Sequence, residues 1–371
     1  MGGDVVGPLL AGFAAALTPT NVLFALIGCL LGTLVGVLPG IGPTSGIALL
    51  LPVTLVVGPT ESIIMLCAIY YGAMYGGSTT AILINVPGEV SSAVTALDGY
   101  PMARSGRAGP ALAISAIGSF AAGTLGLLAL TFFAPPLSEL ALLMGPAEQL
   151  GVMVVSLTFI VSLAGASLLR GLVGALLGMF VGIIGLDLVF GTPRYTFGQP
   201  ELLGGIEFIA VVIGLFALTE VFEQVEKPFV VGAAQRIGRL MPSRADLRRC
   251  VAPILRTSAL GFVMGILPGM SPGVVSFLSY GMERRLSPEP ERFGHGAIEG
   301  VAAAETSNNA VTIGNFIPLL SFGIPPSSAV AVLLAAFLIY GLQPGPLLWA
   351  DHPEIAWTII ASMYLGNVML L

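Results

Sequence analysis

The sequence predicts an all-α integral membrane protein, a polytopic bundle of helices with inverted repeats, re-entrant helical hairpins and broken helices. Of its 371 residues, 56% are hydrophobic and only 9% are charged, against about 25% in an ordinary soluble domain. So few charges cannot form the polar surface that a soluble fold of this size needs. The apolar runs are continuous rather than alternating in polarity, which excludes a membrane β-barrel.

Four apolar runs are long enough to cross a bilayer as single helices, since a span needs about 20 residues. They cover about 110–133, 147–168, 171–190 and 205–222. Shorter or interrupted apolar runs lie on both sides of these four. The last run, about 355–371, reaches the end of the sequence without closing polar residues, so we expect the chain to be truncated at its C-terminus.

Basic residues are concentrated in a few connecting stretches. All but two of the 14 Lys and Arg residues lie in 98–109, 222–256 and 282–292. The loops without any Lys or Arg are 55–61, 134–146 and 341–354. Since short cytoplasmic loops are enriched in Lys and Arg, we expect the three basic stretches to be cytoplasmic. The net charge of −6 and the absence of one concentrated basic face argue against nucleic-acid binding.

The chain contains an internal repeat. Gly36-Val-Leu-Pro-Gly-Ile-Gly-Pro43 aligns with Gly265-Ile-Leu-Pro-Gly-Met-Ser-Pro272, and the same register places Ser78 on Ser307. The loop after the first motif lacks basic residues, whereas the loop after the second is basic, so equivalent loops lie on opposite membrane faces. This pattern predicts an inverted-topology repeat, as in many secondary transporters.

The repeat divides the chain into three regions. We assign 1–221 to the first repeat with additional spans and a hairpin at 39–43, 222–256 to a basic cytoplasmic linker, and 257–371 to the second repeat with a hairpin at 268–272 and an incomplete end. Broken helices are expected around Gly76–Thr80 and Glu305–Asn309. Gly weakens a helix, and Ser, Thr and Asn offer its backbone alternative hydrogen-bond partners.

Two candidate sites follow from this arrangement. Helix N-termini at the hairpin tips present unpaired N–H groups and a positive dipole end, which suits an anion such as an organic carboxylate. The predicted substrate contacts are Gly40, Gly42, Pro43, Thr44, Ser45, Pro268, Gly269, Ser271 and Gly273. Oxygen atoms at the helix breaks suit a hard cation. The predicted cation contacts are Gly77, Ser78, Thr79, Thr80, Glu305, Thr306, Ser307, Asn308 and Asn309.

The residues leave several alternatives open. The coupling ion is Na⁺ or H⁺, because the hydroxyl and amide groups favour Na⁺ whereas Glu305 is suited to carry a proton. Each Pro-Gly pair is also the mark of an ordinary turn, and Asn308 and Asn309 also suit helix-to-helix hydrogen bonds. No cofactor or protein-bound metal is expected, and the isolated Cys29, Cys67 and Cys250 are interpreted as small apolar residues.

Other functional classes fit less well. No His-Glu-x-x-His or Gly-x-Ser-x-Gly motif occurs, which disfavours an intramembrane enzyme. A channel would need a continuous polar pathway, whereas polarity here is confined to paired breaks. Import driven by an ion gradient is the favoured function, with a non-transporting membrane assembly subunit or a channel-like component as the alternative.

Five stretches carry a resemblance to a known family. They are Gly36–Pro43 above, Tyr70-Tyr-Gly-Ala-Met-Tyr-Gly-Gly-Ser78, Ala96-Leu-Asp-Gly-Tyr-Pro-Met-Ala103, Phe293-Gly-His-Gly-Ala-Ile-Glu-Gly-Val-Ala-Ala303 and Tyr340-Gly-Leu-Gln-Pro-Gly-Pro-Leu-Leu348. Together they resemble the large transmembrane (permease) subunit of tripartite tricarboxylate transporters.

This resemblance implies a carrier of the bacterial inner membrane. Such carriers work with a small membrane subunit and a periplasmic solute-binding protein, and they import a citrate-like tricarboxylate or another organic acid by symport with Na⁺ or H⁺. The presumed substrate and cation contacts of the family correspond to 39–45, 76–80, 268–273 and 305–309. The sequence departs from the family at Gly323-Ile-Pro-Pro326, where the last residue is usually Gly, and family members are longer.

Overall fold

Helices account for nearly all of the secondary structure. A computed structural model describes residues 5–38, 40–163, 167–187, 191–219, 222, 226 and 237–371. Pro39 of the first motif and Lys227 and Arg236 of the basic stretch lie outside the described residues. The strands in the described part are one short antiparallel pair, Gly185–Leu186 with Pro193–Arg194. Three helical stretches are long and apolar enough to cross a membrane: Pro19–Val37, Ser92–Leu142 and Arg244–Ile266. The predicted helical class is therefore confirmed.

The first half consists of long and short helices in alternation. Its helices are α1 (Val6–Ala16), α2 (Pro19–Val37), α3 (Gly42–Thr54), α4 (Pro59–Ile84), α5 (Ser92–Met102) and α6 (Ala108–Leu142). The first Pro-Gly motif joins α2 to α3, and a π-helical turn, Ala103–Arg107, joins α5 to α6. Helix α4 ends at Asn85, whose backbone is left-handed with φ of 57°.

The middle of the chain follows the predicted spans only in part. Helices α7 (Pro146–Leu163) and α8 (Leu168–Gly182) are followed by the strands β1 (Gly185–Leu186) and β2 (Pro193–Arg194) and by α9 (Phe208–Val212), which a π-helical segment continues to Leu218. The predicted span 171–190 was too long, because the chain leaves the helix after Gly182. It then turns at Gly185, which has φ of 128°, a value that L-residues with side chains rarely adopt.

The second half repeats the alternation. Its helices are α10 (Arg244–Ile266), α11 (Pro272–Leu286), α12 (Ile298–Gly314), α13 (Phe316–Phe322), α14 (Ser328–Ile339), α15 (Pro346–Asp351) and α16 (Pro353–Met369). A capping box between Ser243 and Asp246 starts α10, which satisfies backbone donors at the helix end. Residues 244–256, placed in the linker by the sequence analysis, are thus the first part of α10.

Equivalent glycines pack the long helices together in both halves. A Cβ built on Gly36 of α2 would lie 2.1 Å from the carbonyl oxygen of Ala73 in α4. A Cβ on Gly265 of α10 would lie 2.6 Å from the carbonyl oxygen of Val311 in α12. The backbones of both helix pairs therefore touch, with no room for a side chain between them.

The helix packing shows a register between the two halves that differs from the one read from the sequence. Gly76 contacts the carbonyl oxygen of Thr33 just as Gly314 contacts that of Phe262, so Gly76 and Gly314 occupy equivalent places. The sequence register that aligned Ser78 with Ser307 is not the one in which the helices pack.

The predicted helix breaks were at the wrong positions. Helix α4 runs without interruption through Gly76–Thr80, and α12 runs through Glu305–Asn309. The chain leaves the helix later, at Asn85 after α4 and at Gly323 after α13, and both residues have left-handed backbones. The small and hydroxyl side chains that suggested breaks instead lie in close interhelical contacts, where packing overrides their weak helix propensity.

Candidate substrate and cation site

Four interruptions of the helices meet at one cavity of about 1160 Å³. They follow α2, α4, α10 and α13, and they lead into α3, α5, α11 and α14. Residues from the first turn of these four following helices line the cavity. Four helix N-termini, two from each half of the chain, therefore converge on the same space.

The groups of this cavity that can attract an anion belong to the backbone. Helix N-termini carry partial positive charge and unpaired N–H groups, which attract anions. None of the described residues that line the cavity is Lys, Arg or His. Ser271 caps α11 by accepting a hydrogen bond from the N–H of Val274 at 3.4 Å. The hydroxyl groups of Thr44 and Ser328 lie 3.0 Å apart, so the first hairpin and α14 are joined at the cavity wall.

Most of the predicted substrate contacts line this cavity. The lining residues among them are Gly40, Gly42, Pro43, Thr44, Ser45, Gly269, Ser271 and Gly273. Pro268 precedes Gly269 and does not belong to the lining. The structure thus brings together two motifs that are far apart in the sequence.

The predicted cation contacts lie behind the cavity, on α4 and α12. Glu305 is fully buried. It accepts hydrogen bonds from the hydroxyls of Thr95 in α5 and Ser115 in α6, the second at 3.1 Å, and Ser78 of α4 also interacts with its carboxylate. Four helices therefore enclose this acid in a polar cluster of hydroxyl groups.

The remaining predicted cation contacts are spread around this cluster. Asn309 donates to the hydroxyl of Ser119 at 2.7 Å, and Asn308 donates to the backbone oxygen of Met74 at 3.4 Å. The other residues are Gly77, Thr79 and Thr80 on α4 and Thr306 and Ser307 on α12. Asn309 fits the alternative of an interhelical link.

Three buried amide oxygens lack donors in the described part of the chain, and two of them, Asn308 Oδ1 and Asn315 Oδ1, lie on or beside the helices of this site; the third is Asn21 Oδ1 on α2. Buried oxygens without donors are rare in proteins and are suitable ligands for a hard cation. Asn315 donates to the Tyr70 hydroxyl at 2.8 Å and to Ser327 at 3.3 Å. Tyr70 and Ser327 line the cavity, so Asn315 connects the buried polar layer to the cavity wall.

The sequence analysis missed four residues of this site: Tyr70, Glu89, Asn315 and Ser327. Glu89 and Ser327 follow Pro-containing interruptions, Pro87-Gly88 and Pro325-Pro326. These two dipeptides were the available signal, because proline and glycine mark places where a chain leaves regular structure.

A network of ion pairs involves two arginines of α10, Arg249 and Arg256. Arg249 pairs with Glu299 and with Glu289, the latter at 2.6 Å, and Arg256 pairs with Glu283 at 2.6 Å. Arg249 and Arg292 hold the pKa of Glu289 below its ordinary value through charged hydrogen bonds. Glu299 is therefore a paired residue.

Comparison with known proteins then identifies the family. The model of the tripartite tricarboxylate transporter TctA family matches residues 22–371. The chain belongs to this family. It is a family of transporters and not of enzymes, and TctA membership together with the apolar helices makes the chain a membrane protein.

Two relatives come from Agrobacterium vitis. An uncharacterized 52.8 kDa protein in the TAR-I ttuC' 3' region is 50% identical over 99% of this chain and 73% of its own length. An uncharacterized protein in the TAR-II ttuC' 3' region is 47% identical over 30% of this chain and 46% of its own length. No solved structure gives a significant match.

Proposed function

We propose that this TctA protein is the large membrane subunit of a binding-protein-dependent secondary transporter that imports a tricarboxylate or related organic carboxylate by symport with Na⁺ or H⁺. Its partners would be a small membrane subunit and a periplasmic solute-binding protein, and its location the bacterial inner membrane. The observation that supports this most is the convergence of four helix N-termini on one cavity. Backbone dipoles can bind carboxylates there without a basic side chain.

We infer that the two halves are arranged with inverted orientations, which would suit this mechanism. Each half has a helical hairpin followed by a long helix, a chain interruption and a short helix. If the halves have opposite orientations, the hairpins enter from opposite faces and meet at mid-depth, as discontinuous helices do in many transporters. The polar cluster around Glu305 would then hold the coupling cation beside the substrate.

Transport of radiolabelled citrate tests the proposed function. Proteoliposomes would contain this protein and its small subunit, with the binding protein outside, and would carry either an inward Na⁺ gradient or an inward pH gradient. We expect uptake that requires both the binding protein and one of the gradients. A folded complex that transports neither citrate nor a panel of di- and tricarboxylates under either gradient would contradict the proposal.

A charge at a helix N-terminus tests the substrate site. Thr44→Asp should lower citrate uptake at least tenfold, because a fixed negative charge would face the substrate across the cavity; tenfold corresponds to about 1.4 kcal/mol. Thr44→Asn, which has nearly the same shape without the charge, is the matched control. An acidic residue in the first turn stabilises a helix, so the loss should occur without loss of folded protein. Equal uptake by the two variants would remove the N-terminus of α3 from the site.

Cysteine labelling tests the orientation of the halves. Arg285, near the end of α11, and Asp351, at the end of α15, are exposed on opposite sides of the α12–α14 region in the sequence. The native cysteines Cys29, Cys67 and Cys250 are buried, so background labelling should be low. A membrane-impermeant maleimide should label Arg285→Cys only from the cytoplasm and Asp351→Cys only from the periplasm. Labelling of both cysteines from the same face would contradict the inverted arrangement.

A further inference from the structure

Glu89 is the one residue with a charged side chain among the described residues that line the cavity. It lies in the interruption between α4 and α5, and its Cγ is 3.1 Å from the position that a Cβ on Gly77 would take. The side chain therefore lies directly on α4. A carboxylate at this place is unexpected in a site for anions, because like charges repel in a cavity with little water.

Hydrogen bonds favour the ionised form of Glu89. Oε2 accepts from the N–H of Ser91 at 2.7 Å, and Oε1 accepts from the N–H of Ser92 at 2.8 Å and from the Ser91 hydroxyl. Hydrogen bonds from backbone N–H groups stabilise a carboxylate over a carboxylic acid. The three donors occupy three of about four lone-pair positions, which leaves one position for a further partner.

No basic side chain in the described chain pairs with Glu89. The other ionisable groups that interact with it are acids: the Tyr70 hydroxyl on α4 and the Glu305 carboxylate on α12. The lining residues from α3, α11 and α14 carry no charge. An anionic substrate in the cavity would therefore face a carboxylate that has hydrogen-bond donors but no basic partner.

We propose that Glu89 binds a Na⁺ ion on the cavity wall and that this ion bridges the Glu89 carboxylate and a carboxylate of the substrate. This inference rests on the proposed function and locates one coupling ion at a residue outside the sequence-predicted cation set. The ion cancels the repulsion, so substrate and Na⁺ each raise the affinity of the protein for the other. Glu305, whose partners are rotatable hydroxyls, is then a second and separate acidic position.

Equilibrium binding to the membrane complex in lipid nanodiscs tests this inference. Radiolabelled citrate would be the probe, with Na⁺ replaced stepwise by choline at pH 8. We expect the citrate affinity of the wild-type protein to fall at least tenfold when Na⁺ is removed. In Glu89→Gln we expect less than a twofold change, and a Na⁺-free affinity higher than that of the wild type, since the repulsive charge is gone.

Two further variants exclude simpler explanations. Glu139→Gln removes an exposed carboxylate on α6 and should keep the Na⁺ dependence of the wild type. If Glu89→Gln does not fold, Glu89→Asp replaces it in the test. This variant keeps the charge but withdraws the carboxylate by one methylene, and the Na⁺ concentration for half-maximal citrate binding should rise at least tenfold.

The outcomes separate this inference from the proposed function. Na⁺-dependent citrate binding that persists in Glu89→Gln, or that is lost in Glu305→Gln instead, would overturn the Na⁺ site and leave the transporter proposal intact. Citrate binding that responds to pH and not to Na⁺ would also overturn the Na⁺ site and leave the transporter proposal intact. A folded wild-type complex that binds no citrate or other carboxylate at any Na⁺ concentration would overturn both.

Discussion

Gly88→Ala should abolish citrate uptake and strongly destabilise the protein. A Cβ at this position would lie 1.8 Å from the carbonyl oxygen of Gly36 and 2.7 Å from the Cα of Gly77. Both contacts are with backbone, so no side-chain rotation can relieve them. Overpacking of a rigid interior costs about 1–3 kcal/mol and sometimes more, and we expect the upper end here.

The effect should reach the site because of where these glycines lie. Gly36 precedes the first hairpin tip, Gly77 lies in α4, and Gly88 directly precedes Glu89. A shift of this three-way contact moves two of the four chain interruptions that form the cavity. The midpoint of thermal unfolding in detergent, followed by size-exclusion chromatography, measures the stability loss, and proteoliposome uptake measures the functional loss.

Gly178→Ala is the matched control for this prediction. Gly178 lies in α8, and a Cβ there has no atom within 4 Å. Alanine is also the better helix former by about 1 kcal/mol, so this variant should be as stable as the wild type or more so. If Gly88→Ala melts and transports like Gly178→Ala, the close contact of the three glycines is not needed.

Asp98→Ala should cost several kcal/mol of folding free energy. The carboxylate is fully buried, and Oδ1 accepts three hydrogen bonds, from the N–H groups of Gly294, Gly296 and Ala297 at 2.8–2.9 Å. Oδ2 accepts from the Tyr280 hydroxyl at 2.9 Å. Each buried donor left without an acceptor costs about 1–3 kcal/mol, so the loss of four acceptor contacts should lower the melting midpoint substantially.

Asp98→Asn separates hydrogen bonding from charge. The amide oxygen can still accept from the three N–H groups, and the Tyr280 hydroxyl can reverse and accept from the amide. We therefore expect a much smaller loss than in the alanine variant. Asp351→Ala, at an exposed position, controls for the loss of any aspartate and should melt like the wild type. Equal melting midpoints for Asp98→Ala and Asp351→Ala would contradict the structural role of Asp98.

The contacts of Asp98 also join two motifs that are far apart in the sequence. Asp98 belongs to the stretch 96–103, and its three N–H donors belong to the stretch 293–303. Gly294 and Gly296 have positive φ of 88° and 102°, which turns three donors within four residues toward one oxygen. Both stretches carry the family resemblance, but nothing in their spacing indicates that they bind each other.

Much of the site could be predicted because its parts have local causes. Pro-Gly pairs interrupt helices, and Ser271 followed by Pro272 starts a helix, so both tips could be recognised from a few neighbouring residues. The cation residues were harder to judge. Gly76–Thr80 resembles a break in composition, yet it remains helical because Gly76 and Gly77 are in contact with α2 and with the chain around Glu89.

The sequence by itself determined that this is a helical membrane protein, because too few charges exist to cover a soluble fold. It also determined the two hairpin tips, because proline and glycine act on their own backbone. The tertiary structure alone decided which interruptions meet, that Glu89 lines the cavity, and that Asp98 and Glu305 are enclosed by other helices. These features depend on contacts between residues as far as 284 positions apart, as in the pair Thr44 and Ser328. Such contacts arise from packing and hydrogen bonding across helices, which no local pattern encodes.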